Sequence, residues 1–114
     1  IKNEAWRRGL LTEAELHREL MWLATPEMTF EELYYCMNDA IRSKGYVNLD
    51  FLGNLGHSIA KKREERIYIE KGNRAKLRDV PYFTFEPHIS RRSSPFGYKM
   101  ENIYYFDGGV LREL

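Results

Sequence analysis

Apolar positions recur at helical spacing in the first part of the chain and at strand spacing in the last. Leu16, Leu20 and Leu23 share one helical face, Thr12-Glu13-Ala14-Glu15 ahead of them has the spacing of a capping box, and Thr25-Pro26 breaks the pattern. The spacing predicts an amphipathic helix from Thr12, preceded by polar residues of helical character. Thr29-Phe30-Glu31-Glu32 repeats the capping signal, and Phe30, Leu33, Tyr34, Met37 and Ile41 form an apolar stripe that stops before Gly45. Cys36 and Met37 on this second helix read as core.

Beyond Gly45 the period changes. Tyr46, Val47, Leu49, Phe51 and Leu52 predict a short strand running into Gly53-Asn54-Leu55-Gly56-His57-Ser58, where glycines let the backbone turn sharply and approach a ligand. Lys61 to Arg66 mixes both signs as a solvated face, and Ile67-Tyr68-Ile69 predicts another short strand. Tyr82 to Phe85 and Gly97 to Phe106 alternate as strands, with Tyr82, Thr84 and Glu86 on one face and Phe83 and Phe85 on the other. Lys99, Glu101 and Ile103 share a face of the second run. Pro87 ends the first run, and Ser90 to Gly97 has loop chemistry. The simplest arrangement is an antiparallel pair with Glu86 beside Glu101, their Cβ atoms about 5 Å apart. Two carboxylates that close repel unless a proton, a metal ion or a neighbouring Lys or Arg lies with them. Asp107-Gly108-Gly109 before Val110-Leu111 predicts a closing hairpin. Helices followed by antiparallel strands define an α+β class, read as a single unit over residues 1–114.

Composition narrows the partners. The 114 residues are 43% hydrophobic and 31% charged, with a formal net charge of +1. That balance offers no general attraction to nucleic acid, and glutamates interrupt the basic run at Lys61 to Arg66. Strand packing accounts for Tyr82, Tyr98, Tyr104 and Tyr105 better than base stacking does. No apolar run reaches the ~20 residues of a membrane span. The single cysteine, Cys36, rules out an internal disulfide and fits a reducing, cytoplasmic compartment. The sequence opens on Ile1 within polar helical residues and reads as a fragment or processed product.

The motifs resemble the pita-bread metallopeptidases, a family that includes methionine aminopeptidases, Xaa-Pro aminopeptidases, prolidases and the non-peptidase creatinases. Met28 to Leu33 looks like the family's helix start, Gly56-His57-Ser58-Ile59 is similar to its Gly-His-x-Ile/Val element, and Phe83-Thr84-Phe85-Glu86-Pro87 looks like its first glutamate strand. Gly97-Tyr98-Lys99-Met100-Glu101-Asn102 is similar to the strand with the second glutamate. On its own, a lone histidine in a glycine-rich turn reads as structural or exposed. The resemblance implies instead that His57, Glu86 and Glu101 are metal ligands, that Glu101 bridges two divalent ions (manganese, cobalt, zinc or iron), and that Glu86 and His57 act in catalysis, with Glu86 as proton shuttle. It also implies hydrolysis near the N-terminus of a peptide substrate, in the Xaa-Pro aminopeptidase or prolidase manner.

Two departures qualify what this piece would do alone. The family's two aspartate ligands lie on a strand pair upstream of the first helices, so they are expected from a missing N-terminal part of the same polypeptide. Ala60 and Glu64 stand where the family carries a second histidine after the His57 element, and His88 is a conceivable substitute. A non-catalytic pita-bread binding module and a creatinase-like hydrolase of small amidines are the rival readings. A homodimeric assembly is left open.

Overall fold

In the computed structural model, which describes residues 2–114, the first helix, α1, spans Lys2–Leu23 and starts well before Thr12. The apparent capping box is helix interior: the Thr12 hydroxyl donates to the carbonyl of Arg8, one turn back, at 2.9 Å. Gly9 lets α1 lie directly on the Tyr98 ring, since a Cβ there would lie 2.5 Å from it. The second helix, α2 (Phe30–Ser43), has the expected cap, with the Glu32 amide donating to Thr29 Oγ1 at 3.0 Å and the Thr29 amide donating to Glu32 Oε1 at 2.9 Å. Phe30, Leu33, Met37 and Ile41 are buried as the stripe predicted. Cys36 is exposed, contrary to the core reading, because its helical position faces away from that stripe.

Six strands follow: β1 (Tyr46–Asn48), β2 (Phe83–Phe85), β3 (His88–Arg91), β4 (Gly97–Lys99), β5 (Asn102–Asp107) and β6 (Val110–Glu113). They form two three-stranded antiparallel sheets, ordered β1-β3-β4 and β2-β5-β6. Strand β1 is shorter than predicted. After Asn48 the Asp50 carboxylate accepts from the amides of Leu52 and Asn54 at 3.0 and 2.9 Å, winding the chain into a turn that leaves Phe51 and Leu52 exposed. Strand β3 extends to Arg91, through part of the expected loop. Residues 67–69 form a single bridge, His57 to Tyr68, rather than a strand. Phe83, Thr84 and Phe85 are all buried, so β2 has no solvent face for the predicted alternation to distinguish. The run from Lys61 to Glu65 is exposed, as its mixed charge predicted, and the Asp107–Val110 pair closes the final hairpin. One core joins the helices and both sheets, with Leu16 and Leu20 of α1 in the same cluster as Phe85, Ile89 and Tyr104. No helix among the described residues is long and apolar enough to cross a membrane.

Candidate metal centre

The centre forms where one long hairpin changes sheets. Pairing of β2 with β5 (Phe85 opposite Asn102) and of β3 with β4 (His88 opposite Lys99) keeps one register across the break. Glu86 therefore stands opposite Glu101, and Pro87 opposite Met100. The amides of Thr84 and Glu86 point away from β5, donating to the carbonyls of His57 and Leu55 at 2.7 and 2.8 Å. Glu86 and Glu101 thus form a non-hydrogen-bonded pair, the kind in which facing residues come closest, about 4.5 Å between Cα atoms. The side-by-side glutamates expected from the alternation are brought together.

His57 arrives on an irregular segment laid along the outer edge of β2. Gly56 makes this possible: it has φ 152°, and a Cβ there would lie 2.1 Å from the Thr84 carbonyl oxygen. The His57 amide donates to Thr84 Oγ1 at 3.1 Å. Its Nδ1 lies 2.8 Å from the Ser58 carbonyl, which can only accept, so Nδ1 carries a proton and in the neutral ring Nε2 presents a lone pair. That lone pair lies 3.7 Å from Glu86 Oε2, an oxygen buried without a hydrogen-bond partner. The Tyr68 ring packs beside the imidazole, centroids 5.8 Å apart.

A cation already stands on the other carboxylate oxygen, with Lys99 Nζ 3.2 Å from Glu86 Oε1. Burial by itself raises the Glu86 carboxyl, but hydrogen bonds from Thr84 and Lys99, with the Lys99 charge, outweigh it and hold the group below the usual carboxylate range. Glu101 moves the opposite way, raised by burial and then by the neighbouring Glu86 charge. Proton affinity is thus split across the pair, lowered at Glu86 and raised at Glu101. A cavity of about 170 Å³ opens here, lined by Asp50, Asn54, His57, Glu86, His88 and Lys99 among others. Glu101 is exposed at its margin. Among the described residues no three His, Cys, Asp or Glu side chains converge as a complete metal cage. Even so, an accepting imidazole nitrogen facing an unpartnered buried carboxylate oxygen is a donor set that suits a divalent cation.

The sequence reading missed the Ser58 carbonyl, Tyr68 and Asp50. The first is a backbone atom with no residue signature. Asp50 reaches the cavity through a turn and Tyr68 through an isolated bridge to His57, neither of which side-chain periodicity describes. Ala60 and Glu64 do not line the cavity, whereas His88 does.

Two helices leading into strands that set His57, Glu86 and Glu101 around one hairpin break define a partial pita-bread fold of the α+β class. The profile of metallopeptidase family M24 matches residues 11–107, and the chain belongs to that family. Among solved structures it is similar to an X-Pro aminopeptidase from Thermotoga maritima MSB8, with a TM-score of 0.67 and 22% sequence identity, over 97% of this chain and 30% of that one. The likeness is one of fold, and the chain spans less than a third of that neighbour's length. A comparison with curated protein sequences found no match.

Proposed function

We propose that this chain carries the His57, Glu86 and Glu101 part of a dinuclear metal centre in a hydrolase that cleaves peptide bonds near the N-terminus, of the Xaa-Pro aminopeptidase or prolidase type. The observation that carries the reading is the Nε2 lone pair of His57 facing the unpartnered Glu86 Oε2 across 3.7 Å, with Glu101 opposite in register. Membership of the M24 family and the fold shared with an X-Pro aminopeptidase support it. The remaining ligands, two aspartates, come in this reading from polypeptide outside these residues.

His57, Glu86 and Glu101 would hold divalent ions there, and the chemistry so supplied would be that of a Lewis acid toward a scissile carbonyl and water. This chain's own residues perform the rest. His57 ligates through Nε2, its ring held by the Ser58 carbonyl. Glu86, kept ionised by Lys99 and Thr84, takes up the proton released as water attacks, and Glu101 faces it as second carboxyl of the pair. The cavity beside them is the place for the peptide's reacting end.

One observation favours a different reading, a non-catalytic member of the fold. Lys99 already neutralises Glu86, as it would in a centre that no longer takes metal. Metal content separates the two. The purified chain is incubated with manganese or cobalt, passed through gel filtration and assayed for bound metal beside Glu86→Ala and Glu101→Ala. Co-eluting metal that either substitution lowers about 100-fold in affinity is the expected result. Metal bound equally by wild type and both variants would overturn the metal-centre reading; none bound by any is the outcome of the non-catalytic reading and equally of a ligand set completed only from outside these residues.

A further inference from the structure

Behind the hairpin break, on the side away from the cavity, α1 turns two polar residues into the core. Glu13 and His17 lie one helical turn apart on the face that also carries Leu16 and Leu20, and their exposures are 0% and 5%. Neither Glu13 oxygen has a hydrogen-bond partner. An apolar side chain would fill this space without the ~1–3 kcal/mol that an unsatisfied buried polar group costs. Packing alone therefore does not account for the pair.

What they face does. In the hairpin register, Pro87 opposes Met100 at a hydrogen-bonding position, and proline has no N–H to give. The Met100 carbonyl is left without its ladder donor, and His17 Nε2 supplies one at 2.7 Å. Because a carbonyl only accepts, Nε2 carries the proton, and in the neutral ring Nδ1 accepts from the Tyr104 hydroxyl at 2.6 Å. Burial, which lowers the tendency of His17 to protonate, favours that neutral ring. Phe85 meets the imidazole edge-on, centroids 4.8 Å apart, and closes the ring's remaining freedom. Glu13 sits beside the Met100 amide without completing a hydrogen bond, its Oε1 4.0 Å from His17 Nε2.

We propose that His17 is a positioning residue: from α1 it holds the Met100 carbonyl that Pro87 leaves unpaired and so fixes Glu101, the next residue, opposite Glu86. The role in metal binding rests on the metal-centre reading; the role in fixing the strand break does not. His17 makes no contact with the cavity and acts only through the backbone between Met100 and Glu101.

The test uses the purified chain with His17→Leu, which removes both ring nitrogens, and His17→Gln, which keeps an N–H donor. In the metal-free protein, the Met100 carbonyl carbon shift and the Glu101 amide order parameter are measured by NMR. Cobalt affinity is then measured by calorimetry. His17→Leu is expected to shift the Met100 carbonyl, loosen Glu101 and weaken cobalt binding about 10-fold, and His17→Gln to restore most of each. Unchanged Met100 and Glu101 signals in His17→Leu would overturn the proposal. Signals that respond while the wild type takes no cobalt would leave the positioning role standing and give the metal-centre reading no support from this chain alone. Should His17→Leu fail to fold, Tyr104→Phe decides: it keeps the ring packing and removes the hydroxyl that orients His17, so the same changes are expected at smaller size, and their absence would overturn the proposal.

Discussion

Glu86 and Glu13 are carboxyls with buried, unpartnered oxygens on opposite sides of one hairpin, yet they are driven to opposite charge states. Burial raises both. At Glu86 the Lys99 ammonium and the Thr84 hydroxyl outweigh it, and the group stays ionised below the usual range. At Glu13 the Met100 amide and the more distant Lys99 charge fall short, and burial pushes the carboxyl from 4.5 up to about 8. Charge state follows from the company a carboxyl keeps as well as from its depth, the Glu13 side chain being fully buried and that of Glu86 18% exposed. The ionised one borders an open cavity, where charge is useful for holding a cation, and the protonated one lies sealed in the core beneath its own helix.

The hardest way to break the contrast is to dislodge the Glu86 side. Gly56→Ala forces a Cβ to 2.1 Å from the Thr84 carbonyl, which lies on the strand that carries Glu86. A loss of about 3 kcal/mol is expected in urea unfolding, and a wild-type midpoint would refute this account of the His57 segment.

The Glu13 side is tested by pH. Between the ordinary value 4.5 and about 8 the unfolded chain ionises Glu13 while the folded chain keeps it protonated, so the folded state binds more protons and stability falls as pH rises. His17, lowered from 6.5 by burial, acts oppositely below that value and offsets the slope there. Lys99 and His17 bear on Glu13, and the Glu113 charge bears on His17; the net decline falls between 6.5 and about 8. At ~1.4 kcal/mol per pH unit, wild type should lose at most about 2 kcal/mol across that window. Glu13→Gln should lose almost nothing. Denaturant titrations at the two ends of the window read the difference.

The smallest effect comes from removing Glu86's cation. Lys99→Met should leave stability within about 1 kcal/mol, since the lysine is half-exposed. It should nevertheless raise the Glu86 carboxyl toward that of Glu13, seen as an upward move in its carbon-13 titration. A titration that does not move would assign the low Glu86 carboxyl to its hydrogen bonds with Thr84 and Glu101.

Much of this arrangement was legible in the chain. The alternation around Glu86 and Glu101 placed them opposite each other because strand register has a period of two and tolerates no one-residue slip. Thr29 to Glu32 announced its helix because both halves of the capping box are side chains. Thr12 to Glu15 carries the same letters and caps nothing, since a threonine hydroxyl inside a helix can bond one turn back, and spacing does not distinguish the two uses. Glu13 and His17 went unread as a pair because their partners, Met100 and Tyr104, lie more than eighty residues away, at separations of 83 and 87 for His17. The acceptor that fixes the His57 ring is a carbonyl, which every residue has.

The unbroken register across Pro87 makes β2–β3 and β4–β5 a single ribbon shared by two sheets, with the carboxylates at its crease. A tilt of one sheet against the other opens or closes that crease as a fold in paper brings two marks together or apart. The spacing of Glu86 and Glu101 is thus a mechanical readout of how the sheets lean.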